Sequence, residues 1–196
     1  MHRKILGLIF FLIAATAVQA QTAKSVTHVQ QIWLGYFNQT RFSDKWGMWV
    51  DLQLRTREDF VDHLSTSLNR FGLTYYLNDN VKLTAGYAYV VGYPEGNRTV
   101  SIPEHRPWQQ VQWHTKYGKK RMMQWIRLDE RYRRKLLNPN TLSNDYSFNY
   151  RVRYNFFYDI PLSAKGIVPK AWSFVVNDEV HINFGKQVVF LSLIHI

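Results

Sequence analysis

Residues 148–158 read FNYRVRYNFFY, and in this stretch every second side chain is apolar or aromatic. The apolar set consists of Phe148, Tyr150, Val152, Tyr154, Phe156 and Tyr158. The polar set between them consists of Asn149, Arg151, Arg153 and Asn155. Successive side chains of a β-strand point to opposite faces, so this period of two predicts a strand with one apolar and one charged face.

The same period of two recurs along the chain from Gln30 onward, clearly at 48–55, 70–77 and 81–91. It predicts eight strands, near 30–42, 48–58, 66–77, 81–93, 105–117, 121–133, 146–160 and 171–184. A tilted strand needs about 9–11 residues to cross a bilayer, whereas strands of globular proteins usually have about 5–6. The length of these segments therefore favours a membrane barrel.

Turn signals separate the predicted strands. Short turns are expected at 43–45, 78–80 and 118–120, and longer connections at 59–65, 94–104 and 134–145. This pattern predicts an all-β fold, an antiparallel up-and-down meander that forms a small closed β-barrel of about 8–10 strands. A bacterial barrel usually has short periplasmic turns, so a first strand that starts from the periplasm would be followed by a long loop, and here the first turn is short.

Both termini differ from the strand pattern. Arg3 and Lys4 precede an apolar run that ends in Val18-Gln19-Ala20, which predicts a signal peptide over 1–20 and a single β-barrel domain over 21–196; an uncleaved anchor is the alternative. Residues 187–196 are atypical for the chain. They indicate either a truncated natural ending, with one or more strands missing, or a genuine short last strand over 188–196.

Composition excludes several classes of protein. The chain has 196 residues, of which 46% are hydrophobic and 16% aromatic, and it has no cysteine. A disulfide scaffold and a thiolate metal site are therefore excluded. The histidines are scattered without ligand spacing, so we expect no metal and no cofactor. The net charge of +11 could attract anions, but export argues against nucleic acid as a partner.

The polar face of the predicted strands carries most of the charge. We expect one network of inward-facing side chains: Asp51, Arg55, Arg57, Arg70, Arg106, Arg127, Asp129, Arg131, Arg151, Arg153 and Glu179. Side chains fill the interior of a small barrel, and the planar fork of arginine can link neighbouring strands. The network is therefore interpreted as an internal ion-pair ladder, or alternatively as an anion-preferring path or a site for an acidic ligand.

A second candidate site lies where a long connection enters the fifth strand. Glu104, His105, Arg106 and Trp108 form this mouth motif. An adjacent Glu and His could act as general acid and base, but neighbouring strand residues point to opposite faces, which favours salt bridges or strand caps. Six tryptophans are expected to anchor the barrel at the membrane interface, or alternatively to pack in a soluble core: Trp46, Trp49, Trp108, Trp113, Trp125 and Trp172.

The hypothesis that the protein is an enzyme starts from His114 and His181 on the polar face and from His63, which lies near Ser65 and Ser67. Nothing in the sequence brings one serine to one histidine with an acid behind it. We therefore predict that the protein is not an enzyme. One more residue breaks the pattern: Asp178 lies in the apolar set of the eighth strand and requires either a β-bulge or a charge that faces lipid.

Several motifs occur in series along the chain. They are Asn69-Arg70-x-Gly72-Leu73-x-Tyr75, Ala85-Gly86-Tyr87-Ala88-Tyr89, Glu104-His105-Arg106-Pro107-Trp108-Gln109-Gln110, Arg127-Leu128-Asp129-Glu130-Arg131 and Asn177-Asp178-Glu179. In this order they resemble the domain of unknown function 2490, a family of exported bacterial proteins, over roughly residues 30–186. The resemblance implies a barrel and no known activity. It also implies a further strand or two beyond position 186.

These observations lead to one predicted function and two alternatives. We expect an outer-membrane β-barrel with a structural role or a narrow anion-preferring pore, whose partners are outer-membrane lipid and a small anionic ligand. The alternatives are a soluble, lipocalin-like periplasmic barrel that binds a ligand and an outer-membrane enzyme that modifies lipid. The sequence gives no indication of the oligomeric state.

Overall fold

The computed structural model describes residues 30–58, 60–186, 188 and 192–195. The predicted signal peptide, 1–20, lies outside the described residues. The described residues form nine strands: β1 (Trp33–Arg41), β2 (Trp46–Arg57), β3 (His63–Tyr76), β4 (Val81–Gly92), β5 (Ile102–Tyr117), β6 (Lys120–Asn138), β7 (Thr141–Pro161), β8 (Ser173–Phe184) and β9 (Ser192–His195). Among the described residues, no helix is long and apolar enough to cross a bilayer.

The strands form one sheet in chain order, and every neighbouring pair is antiparallel. The predicted all-β meander is thus confirmed, and its eight long strands match the predicted segments. The sheet curls into a half-barrel that does not close in the described part of the chain, because β1 and β9 pair only with β2 and β8. The four residues of β9 pair with Val180–Asn183, and the prediction of a truncated ending stays a prediction.

One predicted connection is wrong. Residues 134–145 were expected to form a long loop, but β6 and β7 continue through them as a hairpin that turns at Pro139 and Asn140. Leu136 pairs with Leu142 across the hairpin, and the register shifts on both sides of Leu136. The Asn138 side chain accepts a hydrogen bond from the backbone N–H of Asn140, which closes the turn within two residues.

The meander brings the connections to two ends of the sheet, which we name after the two ends of β1. The Trp33 end holds the connections 93–101 and 139–140 and the described residues of two others, 58 with 60–62 and 185–186 with 188. The Arg41 end holds the short turns 42–45, 77–80 and 118–119, together with the longer connection 162–172. Each long strand therefore runs from one set of connections to the other.

The distribution of buried side chains is opposite to that of a water-soluble sheet. The buried hydrophobic cluster is small and consists of Trp49, Leu68, Ala88, Val90 and Trp108. Many more buried residues are polar or charged, and among them Asp51 and Asp129 have no exposed surface. Leucine, phenylalanine and methionine side chains of the opposite face are exposed, Leu73 by 51% and Phe71 by 53%. The charged set thus lies on the concave, buried face and the apolar set on the outer face.

Two glycines allow the sheet to curl tightly around Trp108. A Cβ atom on Gly72 would lie 2.7 Å from the Trp108 indole, and a Cβ on Gly86 would lie 2.0 Å from the carbonyl oxygen of Phe71. Side chains from distant strands consequently meet: the rings of Trp49 on β2 and Trp108 on β5 lie 5.9 Å apart. The centre of the half-barrel is therefore filled by side chains.

Candidate functional site

The buried charge network is built by strand parity. Each of its members points inwards, and so does the residue that pairs with it on a neighbouring strand: Asp51 pairs with Arg70, and Asp129 pairs with Arg151. All eleven residues of the sequence-derived set lie on this face, either buried or half-buried. The antiparallel register brings arginines and carboxylates from six strands to the same surface.

The first cluster centres on Glu104. Its carboxylate accepts two hydrogen bonds from Arg131, at 2.7 and 2.9 Å, so that the fork of the guanidinium grips both oxygens. Arg106 donates to the same carboxylate at 2.8 Å from the next inward position of β5. Two arginines therefore share one acid, and the pair Glu104–Arg131 ties β5 to β6.

The second cluster lies at the centre of the half-barrel. Asp51, which is fully buried, accepts a hydrogen bond from Arg70 at 2.9 Å. Arg127 is 2% exposed and donates twice to the side-chain oxygen of Gln110, at 2.9 and 2.6 Å. Three indole rings surround its guanidinium at 4.6–5.4 Å: Trp49, Trp108 and Trp125. The Arg127 charge is thus held by an amide and by aromatic faces.

The third cluster joins β7 to β8. Arg153 forms an ion pair with Glu179, and the Nε2 atom of His181 lies 2.9 Å from the same carboxylate. Arg151 donates to the side-chain oxygen of Asn183 at 2.8 Å. Guanidinium groups therefore link β2 to β3, β5 to β6 and β7 to β8 on the concave face.

Positive charge is in excess on this face. Eight arginines of the network and its mouth motif accompany four carboxylates, those of Asp51, Glu104, Asp129 and Glu179. Arg55, Arg127 and Arg151 donate to amide oxygens. Asp129 lies among the arginines, but neither of its oxygens has a hydrogen-bond partner among the described residues. The concave face consequently favours anions over cations.

The connection 93–101 covers the edge of the charge network at the Trp33 end. Arg57 forms an ion pair with Glu95 at 2.9 Å, and Arg98 donates to the backbone carbonyls of Gly92, Val100 and Tyr93. Burial lowers the pKa of the Arg98 guanidinium. The guanidinium still keeps its charge at neutral pH, because arginine is not deprotonated in proteins. These contacts hold the connection 93–101 over the end of β2.

The mouth motif is divided between the two faces. Glu104, Arg106 and Trp108 point into the half-barrel, whereas His105 points outwards and contacts the rings of Tyr89 and Tyr146 at 5.4 and 5.8 Å. The side chains of Glu104 and His105 therefore do not meet. Trp108 is fully buried at the centre of the fold and does not lie at the mouth.

The expected tryptophan girdle is only partly correct. Trp46 and Trp172 are exposed at the Arg41 end, but Trp49 and Trp108 are buried, and Trp125 faces inwards against Arg127. The sequence itself indicates that Trp49 and Trp108 face inwards. Each lies two residues from a charged inward residue of its own strand, Asp51 and Arg106, and residues two apart on a strand share a face. The same parity marks Gln53, Gln110 and Asn183, the three amide partners of the network arginines, which the sequence argument did not include in the network.

The remaining candidates do not form a reactive group. His114 contacts Gln112 at 3.2 Å and His63 lies 3.9 Å from Glu58. Within the described ranges, neither His114 nor His181 is hydrogen-bonded to a serine, and no group of three or more His, Asp or Glu is arranged to hold a metal. Asp178 shares the outer face with Val176 and Val180, since the β7–β8 register runs without a bulge.

Comparison with known proteins gives one match, to a family model. Neither the curated proteins nor the solved structures contain a match to the chain. A family model does match it, over residues 30–192, and that family is described as protein of unknown function, DUF2490. The match covers all eight long strands and the complete charge network. The chain therefore belongs to the family of the domain of unknown function 2490.

Proposed function

We propose that the protein is a β-barrel of the bacterial outer membrane with a structural role, held rigid by its buried arginine network. The observation that carries the proposal is the inversion of the two faces. Apolar side chains such as Leu73 and Phe71 are more than half exposed, while Asp51 and Arg70 are at most 4% exposed. In water this arrangement exposes a large apolar surface, whereas in a bilayer it places that surface against lipid.

Two belts of aromatic side chains on the outer face support the proposed location in a bilayer. At the Trp33 end, rings of five strands pack in two series with centroids 4.7–6.1 Å apart: Tyr87, Tyr89, His105 and Tyr146, and Tyr132, Phe148, Tyr150 and Phe184. At the Arg41 end, Trp46 and Tyr75 pack edge to face at 5.0 Å, and Trp172 and Phe174 are exposed. Aromatic girdles at both interfaces are typical of membrane barrels.

The filled centre supports a structural role in preference to an open pore. Arg127 and the indoles of Trp49 and Trp108 occupy the space between β2, β5 and β6. A barrel of about eight strands has an interior that side chains can fill completely. Ion pairs that connect successive strands would then brace the wall.

The test of the membrane assignment is fractionation with a folding readout. We expect the protein to remain with outer membranes after a high-salt wash, to need detergent for extraction and to migrate differently in gels before and after boiling. Recovery with the soluble periplasmic proteins, in a form that binds an apolar ligand, would support the lipocalin-like alternative and end this proposal.

The excess of buried arginine favours a second candidate, a narrow anion-preferring path. In planar bilayers the wild-type protein is expected to be silent, because the central side chains block the interior. Replacement of the largest buried side chain, Trp108→Ala, would open a void, and we expect small currents whose reversal potential in a KCl gradient shows preference for chloride. Cation-selective currents, or silence in the folded variant, would contradict the anion path.

A further inference from the structure

A groove crosses the outer face in the half of the sheet nearest the Arg41 end. It has a volume of about 480 Å³, and its walls include Leu73, Leu83, Val111 and Ile126. Its floor is formed at Ala85, the smallest outward side chain of β4, which lies between Leu73 and Gln109 in the register. A methyl group at this position leaves a channel between longer side chains.

The groove leads to the aromatic belt at the Arg41 end. Trp46 and Tyr75 line this part of the groove and pack on one another. The ammonium group of Lys45 lies 6.0 Å from the centre of the Tyr75 ring. In the described part of the chain Lys45 forms no ion pair, whereas its neighbour Arg41 is paired with Asp79 at 3.1 Å. One free cation therefore lies directly beyond the end of an apolar channel.

Charge is distributed unequally between the two ends of the sheet. The connections at the Arg41 end carry four cations and two carboxylates: Lys45, Lys119, Lys165 and Lys170 against Asp44 and Asp79. The described residues of the connections at the other end carry two cations and three carboxylates: Arg98 and Lys186 against Glu58, Asp62 and Glu95. The Arg41 end is therefore the end that an anionic surface attracts.

We propose that the groove binds one lipid with an anionic headgroup. One acyl chain lies on Ala85 between Leu73 and Val111, and the phosphate of the headgroup lies on Lys45 beside Trp46. This inference depends on the proposed membrane location and adds to it a lipid class and a site. It also assigns the Arg41 end to a leaflet that contains anionic lipid.

The shape and the charge together favour lipid over a protein occupant. An acyl chain is a flexible apolar rod that fills a channel without hydrogen bonds, and the groove offers it almost entirely carbon surface. Trp46 and Tyr75 lie where interfacial aromatic rings meet headgroups. A cation at the depth of the headgroups contacts the phosphate. It therefore makes binding of an anionic lipid stronger than binding of a zwitterionic lipid.

The test uses brominated acyl chains, which quench nearby tryptophans. The mature chain would be reconstituted in phosphatidylcholine vesicles with an equal fraction of brominated phosphatidylglycerol or brominated phosphatidylcholine. The signal of Trp46 is the difference between the wild type and Trp46→Phe. We expect an apparent preference for the anionic lipid of about fivefold at Trp46. Lys45→Gln should reduce this preference to about one.

The matched control is Lys165→Gln, which removes an exposed cation from the same end, in the connection 162–172 outside the groove, and should leave the preference unchanged. Ala85→Leu fills the groove and should weaken the quenching of Trp46 by both lipids, in a protein whose gel migration shows that it is folded. Equal quenching by both lipids in the wild type overturns the site and leaves the barrel proposal intact. Failure of the folded protein to float with vesicles overturns the barrel proposal itself.

Discussion

Asp51 and Arg70 are the most deeply buried ion pair of the network, with side chains 1% and 5% exposed. Removing one partner leaves the other charge without compensation in a site of low dielectric constant. We expect Asp51→Ala to lower the free energy of unfolding by about 3–5 kcal/mol. The measurement is the urea midpoint of folding into lipid vesicles, followed by tryptophan fluorescence.

The double variant Asp51→Leu with Arg70→Met is the control for this prediction. It replaces the whole ion pair with apolar side chains, which avoids the isolated charge and often costs little stability. We expect its midpoint to lie much closer to the wild type than that of Asp51→Ala. If the two variants are equally unstable, the ion pair contributes through packing and not through charge.

Gly72 leaves room for the Trp108 indole, so any larger side chain at this position should overlap with the indole. A Cβ at Gly72 would lie 2.7 Å from the Cζ2 atom of Trp108, whose side chain is fully buried and cannot move aside. Gly72→Ala should therefore destabilise the fold by about 1–3 kcal/mol. The same urea titration measures it.

A second substitution separates steric overlap from the loss of glycine itself. Trp108→Phe removes the ring that carries the Cζ2 atom, so Gly72→Ala should cost less in that background than in the wild type. The coupling between the two sites is expected to be about 0.5–3 kcal/mol, as for residues in contact. Strict additivity would show that the clash does not determine the cost.

The alternation along each strand explains why the sequence predicts which residues belong to the network but not which of them bind each other. Asp51, Arg70 and Asp129 are inward because they alternate with apolar residues on their own strands. Pairing depends in addition on register and side-chain reach: Glu104 is opposite Arg133 in the register, yet Arg131 binds it. Nothing along β5 or β6 alone specifies that choice, so the sequence predicted a network and not its bonds.

At the scale of elements, the strands near tight turns were the easiest to predict. The turns at 77–80 and 118–119 combine asparagine or glycine with charged residues, and β4 and β5 begin or end within three residues of the predicted limits. The β6–β7 hairpin was missed because charged and turn-forming residues interrupt the alternation within 134–145, among them Arg134, Lys135, Asn138, Pro139 and Asn140. In the structure, Arg134 donates to Ser143, Asn144 and Tyr146 of β7, which keeps this segment in strand form.

The tip of this hairpin also supports the neighbouring connection. Thr99 donates its backbone N–H to the Pro139 carbonyl at 3.1 Å and its hydroxyl to Asn140 at 2.8 Å. We expect replacement of residues 136–141 by Asn-Gly to leave the barrel folded but to speed tryptic cleavage after Arg98 about thirtyfold, because two hydrogen bonds of about 1 kcal/mol each are lost. Mass spectrometry of timed digests measures this rate.

Thr99→Ala is the smaller change to compare with the hairpin replacement. It removes only the hydroxyl contact, so cleavage after Arg98 should accelerate less than it does in the shortened protein. If both variants are cut at the wild-type rate, the contacts of Arg98 with Gly92, Tyr93 and Val100 alone hold the connection in place.

For the whole molecule, strand direction constrains how the barrel can close. Neighbouring strands alternate in direction, so β9 runs the same way as β1. Direct pairing of the two would be parallel, whereas bacterial single-chain barrels have an even number of antiparallel strands. An antiparallel closure therefore needs one more strand between β9 and β1. The sequence pattern predicted eight strands, but the number that completes a circle depends on tilt and stagger, which a period of two does not encode.

The absence of cysteine from the chain allows a direct test of whether the whole sheet spans a membrane. Asn97 and Lys119 lie in connections on either side of β5, at opposite ends of the sheet. In intact Gram-negative cells, a maleimide that cannot cross the outer membrane should label only one of Asn97→Cys and Lys119→Cys. The other should react only after the membrane is made permeable, because a 16-residue strand separates the two sites and exceeds the span that a bilayer requires. If neither variant is labelled until permeabilisation and both then react equally, the sheet does not cross the membrane.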